Sequence, residues 1–468
     1  MLGLLRQHRR FFFAFALAGL ALRLLFFFIY PCITDDSRIY ADFATNLLQH
    51  GTYGRTAGQQ VMPADSRLPG YPLFLAAIFA LFGVANFKAV LLVQIFLDLI
   101  TCLLIADLAR RTLSDRAAQL AFALAALCPF FANYAAAALT ETLEVLFTTL
   151  ALVCAVAGMQ ALDLRMPWRN RLAPWITTGL SVGACILLRP DGGILLASLG
   201  IYLLIVLVMR RRDQKAAVSA AGIATLLGAA LLLLPWTLRN FHTLHHFQPL
   251  APRYATEQDE LAPRGFNRWV GTWIADYVSV EEVYWNVPGA PIDPALLPDR
   301  AFDSPDQRQQ TLQLIADYNQ RPDLTPELDA RFGNLAAERA RAHPLRHYLW
   351  LPLLRIADMW LRPRVEHLPP DPRWWQFNDV PSSSVLAVGF GILNLGYVGA
   401  ACWALVTRRR LRFLTLLLMF VVLRSAFLGS LENPETRYTL ECYPLVILFA
   451  AAALASRRNY AISTCSLS

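Results

Sequence analysis

A chain of 468 residues that is 56% hydrophobic and only 16% charged, with a mean hydropathy of +0.41, carries too much apolar surface for a soluble protein of this length. Its net charge of +8 comes almost wholly from arginines set in short runs between hydrophobic segments, so the basic balance reports membrane topology and no nucleic-acid partner. The eight cysteines are scattered without CxxC or paired spacing, and suggest neither a disulfide framework nor a metal site.

Crossing a hydrocarbon core of about 30 Å takes roughly 20 apolar residues. Ten segments meet or approach this: Phe11 to Tyr30, Asn86 to Leu108, Ala117 to Phe131, Leu139 to Ala161, Leu172 to Leu188, Gly192 to Met209, Ala217 to Leu238, Val385 to Val406, Leu411 to Leu428 and Thr439 to Ala455. An eleventh, Tyr71 to Gly83, is too short to cross comfortably. If it only dips into the outer leaflet, and Arg6, Arg9 and Arg10 lie inside, every later cluster also falls inside. These are Arg110/Arg111/Arg116, Arg165/Arg169/Arg171, Arg210 to Arg212 with Lys215, Arg408 to Arg410 with Arg412, and Arg457/Arg458. No small-residue cleavage site follows the first segment, which reads as a signal anchor. The chain is expected to be an all-α multi-pass protein of about 10 to 11 transmembrane helices in a bacterial inner or plasma membrane, N-terminus cytoplasmic. Its expected parts are a transmembrane module over 1–239 with a first outer loop at 31–85, a small mainly α outer domain over 240–381, and C-terminal helices over 382–468.

In chain order, Arg23 comes first, about two turns from the outer end of segment one, either snorkelling to the headgroups or facing inward. After Asp35 and Asp36, apolar residues recur at Ile39, Tyr40, Phe43, Ala44, Leu47 and Leu48, the stripe of an amphipathic helix that Gly51 stops. Asp36 stands where an N-cap belongs, so capping competes with catalysis as its role. Arg67 precedes Pro69, Gly70 and Pro72, which fix an irregular backbone; its planar fork suits a lipid phosphate, or it simply anchors at the headgroups. Gln94 and Asp98 read as interhelical glue, and Asp107 as solvated near the cytoplasmic end. Glu141 begins the next helix, with Thr140 as its cap and Glu144 one turn in. Arg189 and Arg239 stand at outer helix ends. Helical patches at Gln307 to Tyr318 and Leu328 to Arg341 mark the outer domain, and Pro344 to Leu361 reads as an interfacial helix. His242, His245 and His246 lack a third ligand type at diagnostic spacing, so a metal there is disfavoured. A late outer loop carries Glu432, Glu435, Arg437 and Tyr438.

The order aspartate, amphipathic helix ending in Gly, R-x-P-G-Y-P, T-E-T-L, L-R-P, P-W-x-x-R-N and E-x-R-Y resembles the polyprenyl-phosphate-sugar-dependent glycosyltransferases of the GT-C fold. The likeness is greatest to the group of protein O-mannosyltransferases and lipid A aminoarabinose transferases, and is strongest from Thr34 to Pro190. It implies that an aspartate of the first outer loop is the general base, Asp36 with Asp35 second; Asp-Asp-Ser where many members have Asp-Glu leaves that choice open. It also implies that Glu141 is the acidic residue at the start of the fourth helix, and that Arg67 grips the donor phosphate. Tyr40, Tyr71, Arg189, Arg239, Arg437 and Tyr438 complete the expected substrate-binding set. The WWDYG motif of oligosaccharyltransferases is absent.

The implied reaction is inverting transfer of one sugar from a polyprenyl-phosphate donor to a protein, glycolipid or polysaccharide acceptor at the extracytoplasmic face. A monophosphate leaving group needs no metal, although a divalent cation is left open. A transporter or flippase would want broken helices and polar residues near the bilayer midplane, whereas these charges gather at outer helix ends. A polymerase or ligase using lipid diphosphates would also gather charge outside.

Overall fold

The computed structural model describes residues 1–254, 260–377, 380–407 and 411–455; the clusters Arg408 to Arg410 and Arg457/Arg458 lie outside the described residues. The chain folds as two compact units, the first Met1–Ala255 with Gly396–Val421 and Glu441–Ser468, the second Thr256–Leu395 with Val422–Leu440.

The first unit contains α1 (Leu2–Gln7), α2 (Arg9–Ile29), α3 (Asp35–His50), an antiparallel hairpin of β1 (Gly54–Ala57) and β2 (Gln60–Pro63), and α4 (Gly70–Phe82). There follow α5 (Phe87–Thr112), α6 (Asp115–Ala126), α7 (Pro129–Ala135), α8 (Glu141–Asp163), α9 (Trp168–Leu188), α10 (Gly193–Met209) and α11 (Arg212–Leu244). The second unit holds α12 (Arg264–Val270), α13 (Tyr277–Glu282), α14 (Pro305–Gln320), α15 (Pro326–Ala342) and α16 (Leu351–Leu361). Helices α17 (Pro381–Thr407) and α18 (Leu414–Gly429) give residues to both units, and α19 (Tyr443–Leu454) to the first.

Among the described residues eight helices are long and apolar enough to span a membrane, nine if the pair α6 and α7 counts as one, and α4 and α18 are shorter apolar helices. This is an integral, multi-pass membrane protein. The expectation of one continuous helix from Ala117 to Phe131 is corrected: the two halves meet at 52°. Pro129 has no N–H to extend the ladder and pushes Cys128 into an extended conformation. Arg23 serves that break. It is fully buried, ion-paired to Asp98, and donates to the carbonyls of Ala126 at 2.6 Å and Ala125 at 3.4 Å, at the end of α6 where helical donors run out. Of the two readings of Arg23, the inward one is correct. Asp107, expected to be solvated, is instead 9% exposed and bonded by Arg111 at 2.6 Å.

Two contacts fix the first loop. Gly51 ends α3 in the left-handed region at φ 65°, which glycine adopts without steric cost. Gly70 opens α4 against the end of α9: a Cβ there would stand 2.6 Å from the carbonyl oxygen of Leu187, so only glycine permits this approach. Between them lies the hairpin of β1 and β2.

The second unit packs its own core around Phe266, Trp269, Trp273, Tyr318 and Phe332. The expected patches are α14 and α15, each opened by a capping side chain (Ser304, Thr325) with proline in the first turn. The interfacial reading of α16 needs correction at Arg355, which is buried and donates to the carbonyls of Gly271 at 2.6 Å and Ile274 at 2.8 Å; Leu353, Leu354 and Leu361 remain exposed.

Candidate active site

The cap of α3 is Thr34, not Asp36. The Thr34 hydroxyl accepts from the Ser37 N–H at 3.3 Å while the Ser37 hydroxyl accepts from the Thr34 N–H at 3.0 Å, a capping box. Both aspartates are thereby spared that duty, and the helix turns them differently. Asp35 is 92% exposed and paired to Arg38 at 2.8 Å. Asp36 faces Arg67, whose Nη2 donates to its Oδ1 at 3.3 Å, and keeps 38% of its side chain exposed. A carboxylate with one oxygen engaged by a cation and a route to solvent can accept a proton.

Arg67 is held by its backbone. Its carbonyl accepts the Tyr53 hydroxyl at 3.0 Å, and Arg239 grips the same loop by donating to the carbonyls of Ala64 at 2.9 Å and of Tyr53. The Arg239 guanidinium also lies over the rings of Tyr53 and Trp236, 5.4 and 5.3 Å from their centroids. Arg239 therefore braces the loop.

The opposite side comes from α8 and α9. Backbone bonds from Cys32 to the Ala136 carbonyl and from Ala138 to the Cys32 carbonyl, at 2.9 and 3.0 Å, tie the chain before α3 to the chain before α8. Thr140 makes no side-chain cap bond, against expectation; the Thr142 hydroxyl instead bonds the Tyr134 carbonyl at 3.1 Å. Glu141 is 2% exposed, and the Arg189 guanidinium lies 3.7 Å from it, 3.5 Å from Glu144 and 3.3 Å from Asp191. Glu144 also meets the carboxyl of Glu441, a second buried acid beside it. Sequence reasoning leaves Glu144 and Glu441 out of the site. The first is visible one turn into the TETLE helix, the second only through its contact.

Tyr40 lies among these groups. Burial pushes its phenol up from the ordinary value; the charges of Asp36 and Glu141 add to the shift, and those of Arg67 and Arg189 oppose it. Two acids and two cations from three separate stretches of chain thus act on one hydroxyl. Tyr71, with its ring 5.2 Å from that of Tyr40, spends its hydroxyl on Gln94 at 2.7 Å, and Gln94 donates onward to the Ala137 carbonyl at 2.7 Å. Gln94 and Asp98 are the interhelical links their positions suggested. Arg437 and Tyr438 belong to the second unit, where Glu435 is ion-paired with Arg437 at 2.6 Å and accepts from the Tyr438 hydroxyl. Among the described residues no group of three or more His, Cys, Asp or Glu is placed to hold a metal ion.

The architecture is that of the GT-C class of membrane glycosyltransferases. Structurally the chain is similar to the archaeal oligosaccharyltransferase AglB from Archaeoglobus fulgidus, in complex with an inhibitory peptide and a dolichol-phosphate (TM-score 0.50, 13% identity, 96% of this chain and 50% of that one), and to the apo form (0.50, 14%, 96% and 50%). ArnT from Cupriavidus metallidurans bound to undecaprenyl phosphate also matches (0.40, 15%, 94% and 77%). The chain spans about half the length of the AglB structures. In sequence, residues 65–237 match the family model for dolichyl-phosphate-mannose-protein mannosyltransferases, so the likeness to polyprenyl-phosphate-dependent GT-C enzymes holds in both sequence and fold. No curated protein matches the chain in sequence.

Proposed function

We propose that the chain is an inverting glycosyltransferase that moves one sugar from a polyprenyl-phosphate donor to an acceptor at the extracytoplasmic face, with its catalytic module within 1–239. The carrying observation is the solvent-open Asp36 carboxylate beside Arg67, with Arg189 and Glu141 acting on the same Tyr40 hydroxyl. Dolichol-phosphate in the AglB structure and the mannosyltransferase family match support a lipid-phosphate donor. The arginine clusters support the orientation.

In this reading the donor phosphate takes the fork of Arg67, whose 3.3 Å bond to Asp36 is long enough to yield, and Arg189 meets the same anion. Asp36 then accepts the proton of the acceptor O–H or N–H as that atom attacks the anomeric carbon. The bond from anomeric carbon to phosphate oxygen breaks on the opposite side, its electron pair leaves on the phosphate, and the centre inverts. Charge grows on the phosphate in the transition state, so fixed guanidiniums stabilise that state more than the ground state. Glu141 shapes the field around Arg189.

Purified protein incubated with radiolabelled polyprenyl-phosphate sugars and candidate acceptors tests this. Transfer that disappears in Asp36→Asn while donor binding persists supports it; unchanged transfer removes the mechanism. Movement of intact donor across a vesicle membrane without transfer would instead identify a flippase.

A further inference from the structure

Of the three histidines near the end of α11, His242 and His245 are exposed. His246 turns back onto the first loop. Its Nε2 lies 2.9 Å from Oδ2 of Asp65 and its Nδ1 lies 3.1 Å from the carbonyl oxygen of Leu244. A carboxylate and a carbonyl both only accept, so the ring satisfies both neighbours only when it carries two protons; a neutral imidazole turns a lone pair onto one of them. Asp65 is 5% exposed, which makes its charge costly without a partner. It stands two residues before Arg67, between Ala64, whose carbonyl Arg239 holds, and Arg67, whose carbonyl the Tyr53 hydroxyl holds. Among the surrounding charges, Arg239 on α11 also acts on Asp65, and Arg67 follows on the same loop.

We infer that His246 is a positioning residue: by pairing with Asp65 it fixes the loop that carries Arg67, and through that loop it sets the hold on an anionic lipid headgroup. The link to the headgroup rests on the proposed role of Arg67; the brace itself does not. Taking the imidazole away leaves the buried Asp65 carboxylate short of a partner, and the loop loosens. Arg239 and Tyr53 keep their grip, so the effect is graded and the fold survives.

The test uses full-length protein in lipid nanodiscs, comparing the natural chain with His246→Gln, Asp65→Asn and His246→Lys across about pH 5 to 8. Hydrogen exchange of the amides of residues 64–68, expressed as protection factors to remove intrinsic pH dependence, reads the brace directly. Protection in the natural chain is expected to exceed that of His246→Gln about tenfold, the scale of losing one charge-assisted bond. His246→Gln and Asp65→Asn should be low throughout, and His246→Lys, which keeps a charged donor, high throughout. The KM for a polyprenyl-phosphate sugar should follow protection while kcat moves less. Equal protection in the natural chain and His246→Gln overturns the inference, and so does a KM indifferent to His246 when protection responds. Full brace behaviour with no sugar transfer to any acceptor supports the brace and overturns the enzymatic reading instead.

Discussion

Thr34 and Ser37 close the start of α3, which leaves two adjacent aspartates with different fates one residue apart. Asp35 is spent on an exposed pair with Arg38, and Asp36 meets Arg67. Asp36→Asn is expected to lower the transfer rate by about 10² to 10⁴, the usual worth of a general base, and Asp35→Asn to leave it within about twofold. Steady-state rates on a labelled donor separate the two. Arg67→Lys keeps the charge but loses the planar fork, and should raise the donor KM about tenfold with a smaller change in kcat. The acids are visible in the sequence because they interrupt apolar runs. Which of them meets Arg67 is not, since that choice turns on a capping bond placed by one residue. Arg239 shows the same limit: the sequence sets it at a helix end like Arg189, yet it stands inside α11 and its donors go to backbone carbonyls of a loop far away in sequence.

Among the elements, the bent pair α6 and α7 depends on Arg23. Arg23→Met would strand the buried Asp98 and should cost about 3–5 kcal/mol in reversible unfolding, while Arg23→Met with Asp98→Leu should cost less than the single change. A double substitution as damaging as the single would refute the ion pair as the cause. In α16, burial pushes the Asp358 carboxyl up to about 6, although Arg362 pulls the other way. The folded chain then holds a proton that the unfolded chain releases between about pH 4 and 6, so this group's contribution to stability falls as pH rises through that window. Asp358→Asn removes the charge, and its melting temperature should exceed that of the natural chain at pH above about 6 and approach it in acid. Apolar runs make the long helices legible. The break is legible too, since Pro129 stands inside the run, but length alone argues for one helix. The hairpin escapes a sequence reading because its strands are four residues each and mostly exposed, leaving no alternation to read.

For the whole molecule, the arginine clusters set an orientation that labelling can check. In a background without native thiols, Gln59→Cys at the exposed hairpin turn should react with a membrane-impermeant maleimide in intact cells, and Asn170→Cys, exposed in the first turn of α9, only after permeabilisation. The reverse pattern would turn the protein over and with it the face on which transfer occurs. At this scale composition and segment count carry the class of protein, because bilayer thickness dictates helix length. The acid pair of Glu144 and Glu441 is illegible, since it joins the start of one helix to a distant stretch through packing alone.

The backbone approach of Gly70 to Leu187 has a mechanical corollary. Arg67 stands three residues before the first of these and Arg189 two residues after the second, so both cations are mounted on a single joint and keep a set span, like the jaws of a caliper locked at one width. In the proposed reaction both jaws close on the donor phosphate, which every polyprenyl-phosphate sugar shares. A side chain as small as alanine at position 70 would spread them and weaken the hold on all such donors alike.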